Sequence, residues 1–130
     1  MMNSNNKQIN NLVDEIIDAA KEVHADLGPG LTADIYRDAL VYELTLRDVK
    51  CREEVSAHVT YKGIRLGSIR HIDIIVEDEV VIDIKSVLDM QDVFLLQLNT
   101  SMRLTGMKQG ILINFNVADL STGIWHRTIS

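Results

Sequence analysis

Two β-branched runs, His71-Ile72-Asp73-Ile74-Ile75-Val76 and Val80-Val81-Ile82-Asp83-Ile84-Lys85, flank the acidic tripeptide Glu77-Asp78-Glu79. Such runs have few places to go. Branched side chains are stiff in helices and pack well on pleated surfaces, and a short polar break between two of them predicts an antiparallel hairpin. With the tripeptide as its loop, Val76 faces Val80, Ile75 faces Val81, Ile74 faces Ile82 and Asp73 faces Asp83. Strand alternation then places Ile72, Ile74, Val76, Val80, Ile82 and Ile84 on one face, a continuous apolar surface that demands a core against it. The other face collects Asp73, Ile75, Val81, Asp83 and Lys85. A slip of one residue would turn the apolar set to the wrong side, so this register is favoured.

The polar face carries chemistry. Aspartate is a poor strand former, and like charges directly opposite each other destabilise a sheet, so the Asp73/Asp83 pair needs water or a cation between its oxygens. Opposed Cβ atoms lie about 5 Å apart, close enough for two carboxylates to converge on one divalent ion. Lys85, two residues beyond Asp83, points toward the same space. A divalent ion there would polarise a phosphoryl oxygen and acidify a water, while the lysine orients that water or offsets transition-state charge: the chemistry of phosphodiester hydrolysis. The alternative is a solvated strand face with surface ion pairs, each contributing only about 0–1 kcal/mol.

Around this hairpin the pattern predicts an α/β fold. From Ile9 to Leu27 apolar residues recur at helical spacing until Gly28-Pro29 stops them, and Thr32 is placed to cap a second helix ending near Arg47. Cys51 to Tyr61 alternates as a strand, followed by a Lys62-Gly63 turn. A third helix fits Gln91 to Thr105, closed by Gly106, then a buried strand over Gln109–Phe115 and a short last one over Gly123–Ile129. The order ααβββαβ, with a terminal strand, implies a mixed β-sheet flanked by helices. At 130 residues and 46% hydrophobic content the chain predicts a single domain, residues 1–130, with a polar tail over residues 1–6.

Taken together, these segments resemble the GxxExxY proteins, a branch of the PD-(D/E)XK nuclease superfamily. The resemblance rests on Val23-His24 and Leu27-Gly28-Pro29-Gly30-Leu31, Tyr36, Ala39-Leu40, Glu43-Leu44, Tyr61-Lys62-Gly63, Asp73 to Glu77, Asp83-Ile84-Lys85, Gln97, and Gly110 to Asn116. It implies a restriction-endonuclease-like core and metal-dependent cleavage of DNA or RNA. By motif, Asp73, Asp83 and the backbone carbonyl of Ile84 would hold Mg2+ or Mn2+, Lys85 would be the catalytic lysine, and Gln97 would face the site from the third helix. The chain departs from the branch at Ala33, where the name-giving glutamate is expected, at Phe94 for a common histidine and at Ser101 for a common tyrosine. Asp34, one step on from Ala33, turns about 100° away around a helix and is no automatic substitute.

A net charge of -6 argues against coating nucleic acid through bulk electrostatics, although Lys50, Arg52, Lys62, Arg65, Arg70, His71 and Lys85 concentrate basic charge in the middle of the chain. No apolar run is long enough to span a membrane, and the polar start with a single cysteine, Cys51, fits a cytoplasmic protein. The nuclease reading therefore implies nucleic acid as partner. The competing reading is a catalytically inactive nuclease-fold module for interaction or assembly, with sheet edges suited to a homo-oligomer. His24 and Tyr36 are expected to pack, Glu43 to form an ion pair, His71 to face solvent, Cys51 to fill apolar space, and Trp125-His126 to complete an edge strand or a subunit contact.

Overall fold

In the computed structural model, which describes residues 4–129 and side chains from Lys7 onward, the alternating and helical patterns resolve into one five-stranded sheet with helices on both faces. The elements are α1 (Ser4–Leu27), α2 (Ala33–Leu46), β1 (Cys51–Tyr61), β2 (Ile64–Val76), β3 (Val80–Lys85), α3 (Asp92–Thr105), β4 (Gln109–Asn114), a 3-10 turn (Leu120–Gly123) and β5 (Ile124–Thr128). Strand order follows chain order, β1-β2-β3-β4-β5. Only β3 and β4 run parallel, joined by the α3 crossover that a parallel pair requires, so the sheet is mixed as expected. Part of the expected tail is helical: Ser4–Asn6 belong to α1, and residues 1–3 lie outside the described residues.

The hairpin β2–β3 has the expected register, Val76↔Val80, Ile75↔Val81 and Ile74↔Ile82. Its apolar residues Ile74, Val76, Val80, Ile82 and Ile84 pack under α1 and α2 with Ile16, Ala20, Leu40, Leu44 and Phe115. Leu98 and Met102 of α3 cover the opposite face, over Ile75, Val81 and Leu112.

Two expectations are corrected. Ile72 does not share a face with Ile74; it packs in the α3 cluster beside Ile75. The partner strand changes face at the same level, with Cys51 under α1 and α2 but Val55 and Ala57 under α3. The cause lies in the pair between them. Glu54 has a left-handed φ of 52°, and the β1–β2 register, which keeps one offset from Cys51 to His58, skips Glu54 and Asp73. A non-glycine residue in that region interrupts alternation, and both strands resume on opposite faces. The second correction is that β2 begins at Ile64, not His71, so β1 and β2 form a hairpin far longer than the β2–β3 ladder.

Helix ends mostly follow their signals. Gly28 (φ 70°) donates its N–H to the His24 carbonyl at 2.8 Å, and Gly106 (φ 73°) closes α3 in the left-handed conformation. Thr32 occupies the N-cap of α2, but its hydroxyl bonds the Asp34 carboxylate instead of a backbone N–H. Tyr36 is fully buried, stacked on Phe115 with ring centroids 4.4 Å apart. Its hydroxyl donates to the Gly28 carbonyl and accepts the Leu31 N–H at 3.1 Å, tying the Gly28-Pro29-Gly30 turn to the helix that follows.

Candidate active site

The β2–β3 ladder ends at Ile74/Ile82, so the direct cross-strand pairing expected of Asp73 and Asp83 is not formed; at that point the strands part. At the gap, Asp73 Oδ2 accepts the Ile84 N–H at 2.7 Å, so a carboxylate takes the place of a backbone carbonyl in the ladder. This follows from the interruption at Glu54 and Asp73: an aspartate at the flip can fold its short side chain back onto the neighbouring strand. The Ile84 carbonyl faces the same gap. On the β4 side of β3 it is Lys85 whose carbonyl accepts the Phe115 N–H, at 3.0 Å, and successive carbonyls in a strand point to opposite edges.

Asp83 is only 3% exposed. Burial, and then the neighbouring Asp73 charge, push its carboxyl up to about 6, against the opposing pull of Arg70 and Lys85. The Arg70 guanidinium approaches Asp83 Oδ2 at 3.4 Å, a long contact, and its Nε donates to the buried Ser101 hydroxyl at 3.1 Å. Lys85 is half-buried beside them, with its ammonium 4.6 Å from the centre of the Phe94 ring. Gln97 is half-buried on the same stripe of α3 as Phe94 and Ser101, three and four residues away. From the other side Arg37 of α2 reaches Glu54 at 3.1 Å. Burial works against its charge, while Glu54, Asp38 and Asp73 hold its pKa above the ordinary value.

The four catalytic candidates thus lie around one end of β3. The charges of Asp73 and Lys85 both act on the Asp83 carboxyl, and Gln97 sits on the helix stripe above. The donor set is hard: two carboxylates whose second oxygens make no hydrogen bond among the described residues, and a backbone carbonyl. Magnesium commonly binds through one or two carboxylates and keeps several waters, so such a set fits it. No third His, Cys, Asp or Glu joins them to make a larger metal-binding group among the described residues. Ala33, at the first position of α2, packs against the apolar core; just before it, the Leu31 carbonyl accepts the Ser86 hydroxyl at 2.5 Å, so this helix start adjoins Lys85.

A family model described as the PD-(D/E)XK nuclease superfamily matches residues 10–127, nearly the whole chain. The chain belongs to the PD-(D/E)XK nuclease superfamily. Nucleases of this superfamily typically use divalent metals. Among solved structures, the crystal structure of SSO0001 is similar, with a TM-score of 0.56 and 20% identity over 73% of this chain and 48% of that one. The chain spans about half the length of that protein, and the likeness bears on the fold alone. No curated protein matches the sequence. In this PD-(D/E)XK chain no helix among the described residues is long and apolar enough to cross a membrane.

Several side chains outside the site have the expected structural roles. His24 bonds the Val117 carbonyl at 2.7 Å, Glu43 pairs with Arg47 at 2.8 Å, and Trp125 sits on the edge strand β5, packed against the α3 cluster. Sequence reasoning missed Arg70 and Ser101 as a unit. Arg70 pairs with Ala57 across β1–β2 and so shares the α3-facing side, a placement visible only once Ile64–Arg70 is recognised as strand.

Proposed function

We propose that the chain is a metal-dependent nuclease that hydrolyses phosphodiester bonds of DNA or RNA, and that within its superfamily it falls in the GxxExxY branch. One observation carries the reading: Asp73 and Asp83 meet where β2 leaves β3, and burial together with their mutual repulsion holds Asp83 near 6. An anionic pair with one member, Asp83, buried and the other, Asp73, half-buried favours a cation between its members. Asp73, Asp83 and the Ile84 carbonyl would hold Mg2+ or Mn2+, which when bound withdraws charge from the phosphoryl group and acidifies a water. Lys85 brings its ammonium to the scissile phosphate and stabilises the charge that builds there. Gln97 orients the phosphate or the water by hydrogen bonding. Arg70, anchored on Ser101, keeps the Asp83 carboxylate pointed across the gap.

Ala33 supports a second reading, a nuclease-fold module that binds without cleaving, because the acidic helical residue of the branch is missing and no other acidic group completes the cluster among the described residues. Cleavage assays on single- and double-stranded DNA and RNA in manganese separate the two. Hydrolysis by the wild type that is lost in both Asp83→Ala and Lys85→Ala supports the enzyme. Absence of cleavage on every substrate refutes it for this chain, and activity appearing only in Ala33→Glu identifies a nuclease disabled at that position.

A further inference from the structure

The β1–β2 hairpin continues beyond the body of the sheet. β3 pairs with β2 only over Ile74–Val76, whereas β1 and β2 stay paired out to Tyr61/Ile64. From His58 to Ile69 every residue is exposed except the half-buried Val59. The ribbon presents large apolar side chains to solvent, with Tyr61 61% and Ile64 66% exposed at its tip.

Its charge is opposite to that of the body. Residues 55–72 contain Lys62, Arg65 and Arg70 and no aspartate or glutamate, against ten basic and nineteen acidic residues in the rest, which leaves the remainder at -9. Lys62 and Arg65 form no ion pair among the described residues; the Lys62 ammonium instead lies 5.4 Å from the centre of the Tyr61 ring. Cationic side chains left uncompensated on an acidic protein, alternating with an aromatic ring, suit a strand of phosphates with bases or sugars beside them. A two-stranded ribbon also has the width to enter a major groove.

We propose that this β1–β2 arm is the nucleic-acid grip of the protein, delivering a phosphodiester strand to the Asp73/Asp83 gap. The direction of the strands supports it. β2 runs from the tip, through a bulge between Arg65 and Ile69, to Arg70, His71 and Asp73, and from Tyr61 to Glu54, the residue opposite Asp73, the ribbon covers roughly 24 Å at the usual rise per strand residue. That length spans about seven phosphates of one strand. The acidic body repels the polymer elsewhere, so the arm sets both where it lands and which way it points. The inference rests on the nuclease reading for its substrate class.

Fluorescence anisotropy with labelled single- and double-stranded oligonucleotides, in EDTA and across a salt series, tests it. The double variant Lys62→Asn/Arg65→Gln removes two charges, and asparagine suits the left-handed φ of 50° at position 62. Its plot of log K against log salt should be shallower by about 1.4 on single strands and about 1.8 on duplex, with at least tenfold weaker binding at low salt. The matched variant Lys21→Gln/Lys108→Gln, on exposed residues of the body, should keep the wild-type slope. An unchanged slope in the arm variant overturns the proposal, as does a wild type that binds no oligonucleotide at low salt. A variant that alters sedimentation mass but not anisotropy also overturns it, assigning the arm to contact with a second copy. Binding that depends on the arm without cleavage in manganese would sink the hydrolytic reading and leave the grip standing; cleavage and binding by the arm variant equal to wild type would do the reverse.

Discussion

Replacing Asp83 by asparagine should stabilise the metal-free protein, and the gain should depend on pH. The folded-state pKa of Asp83, about 6, lies above the 3.8 of an unperturbed aspartate. As pH rises from acid, the unfolded chain gives up this proton first. The protonated carboxyl therefore contributes stability that is fully present below the unfolded value and lost as pH climbs through about 6. At 1.36 kcal/mol per pKa unit, the interval from about pH 4.5 to 6 corresponds to roughly 2 kcal/mol, all of it lost by pH 7.5. Asp83 is almost fully buried, so solvent screening reduces this little. Asparagine keeps the volume and can still accept a hydrogen bond from Arg70, but carries no charge to bury or to repel Asp73. Urea unfolding in EDTA at the two pH values, for wild type and Asp83→Asn, measures the difference. The variant should gain about 2 kcal/mol relative to wild type on going from the lower to the higher pH. Equal pH dependence in the two proteins would refute the argument that burial and the Asp73 charge hold the proton on Asp83.

Other consequences follow from packing and hydrogen bonding. Tyr36→Phe removes the hydroxyl that joins the Gly28 carbonyl to the Leu31 N–H and should cost about 1–3 kcal/mol in the same unfolding assay, with the ring stack on Phe115 retained. Gly123→Ala would set a Cβ 2.3 Å from the Asn114 carbonyl oxygen, backbone that cannot step aside, so a loss of at least about 1–3 kcal/mol should appear as a lowered thermal midpoint. Ser101→Ala takes the anchor from Arg70 while leaving the carboxylates in place; in a manganese cleavage assay it should lower kcat more mildly than Lys85→Ala, which removes the group assigned to the phosphate.

The parts of the fold legible in the sequence were those where one period dominates over a long enough stretch. The Ile/Val runs of β2 and β3 fixed their own register because a slip would have exposed the whole apolar set, and α1 and α3 carried both an apolar stripe and a stop signal. The outer half of β2 was hidden because Leu66-Gly67-Ser68 breaks its alternation. There, register shifts between His58/Ile69 and Thr60/Arg65, and a bulge carries no periodic signal. The change of face at Glu54 and Asp73 was equally invisible, since it depends on a left-handed φ at a glutamate, a residue with no special preference for it. At the site, Asp73, Asp83 and Lys85 could be brought together because strand geometry relates them locally. Arg70 and Ser101 could not, because their meeting depends on how α3 crosses the sheet.

The central claim is that Asp73 and Asp83 form the site of a divalent ion, and calorimetric titration with manganese at neutral pH tests it most directly. The expected result is a single binding event in the wild type that disappears in both Asp73→Ala and Asp83→Ala and persists in Lys85→Ala, whose ammonium is not a ligand. No binding heat in the wild type, or heat that survives removal of both carboxylates, would contradict it.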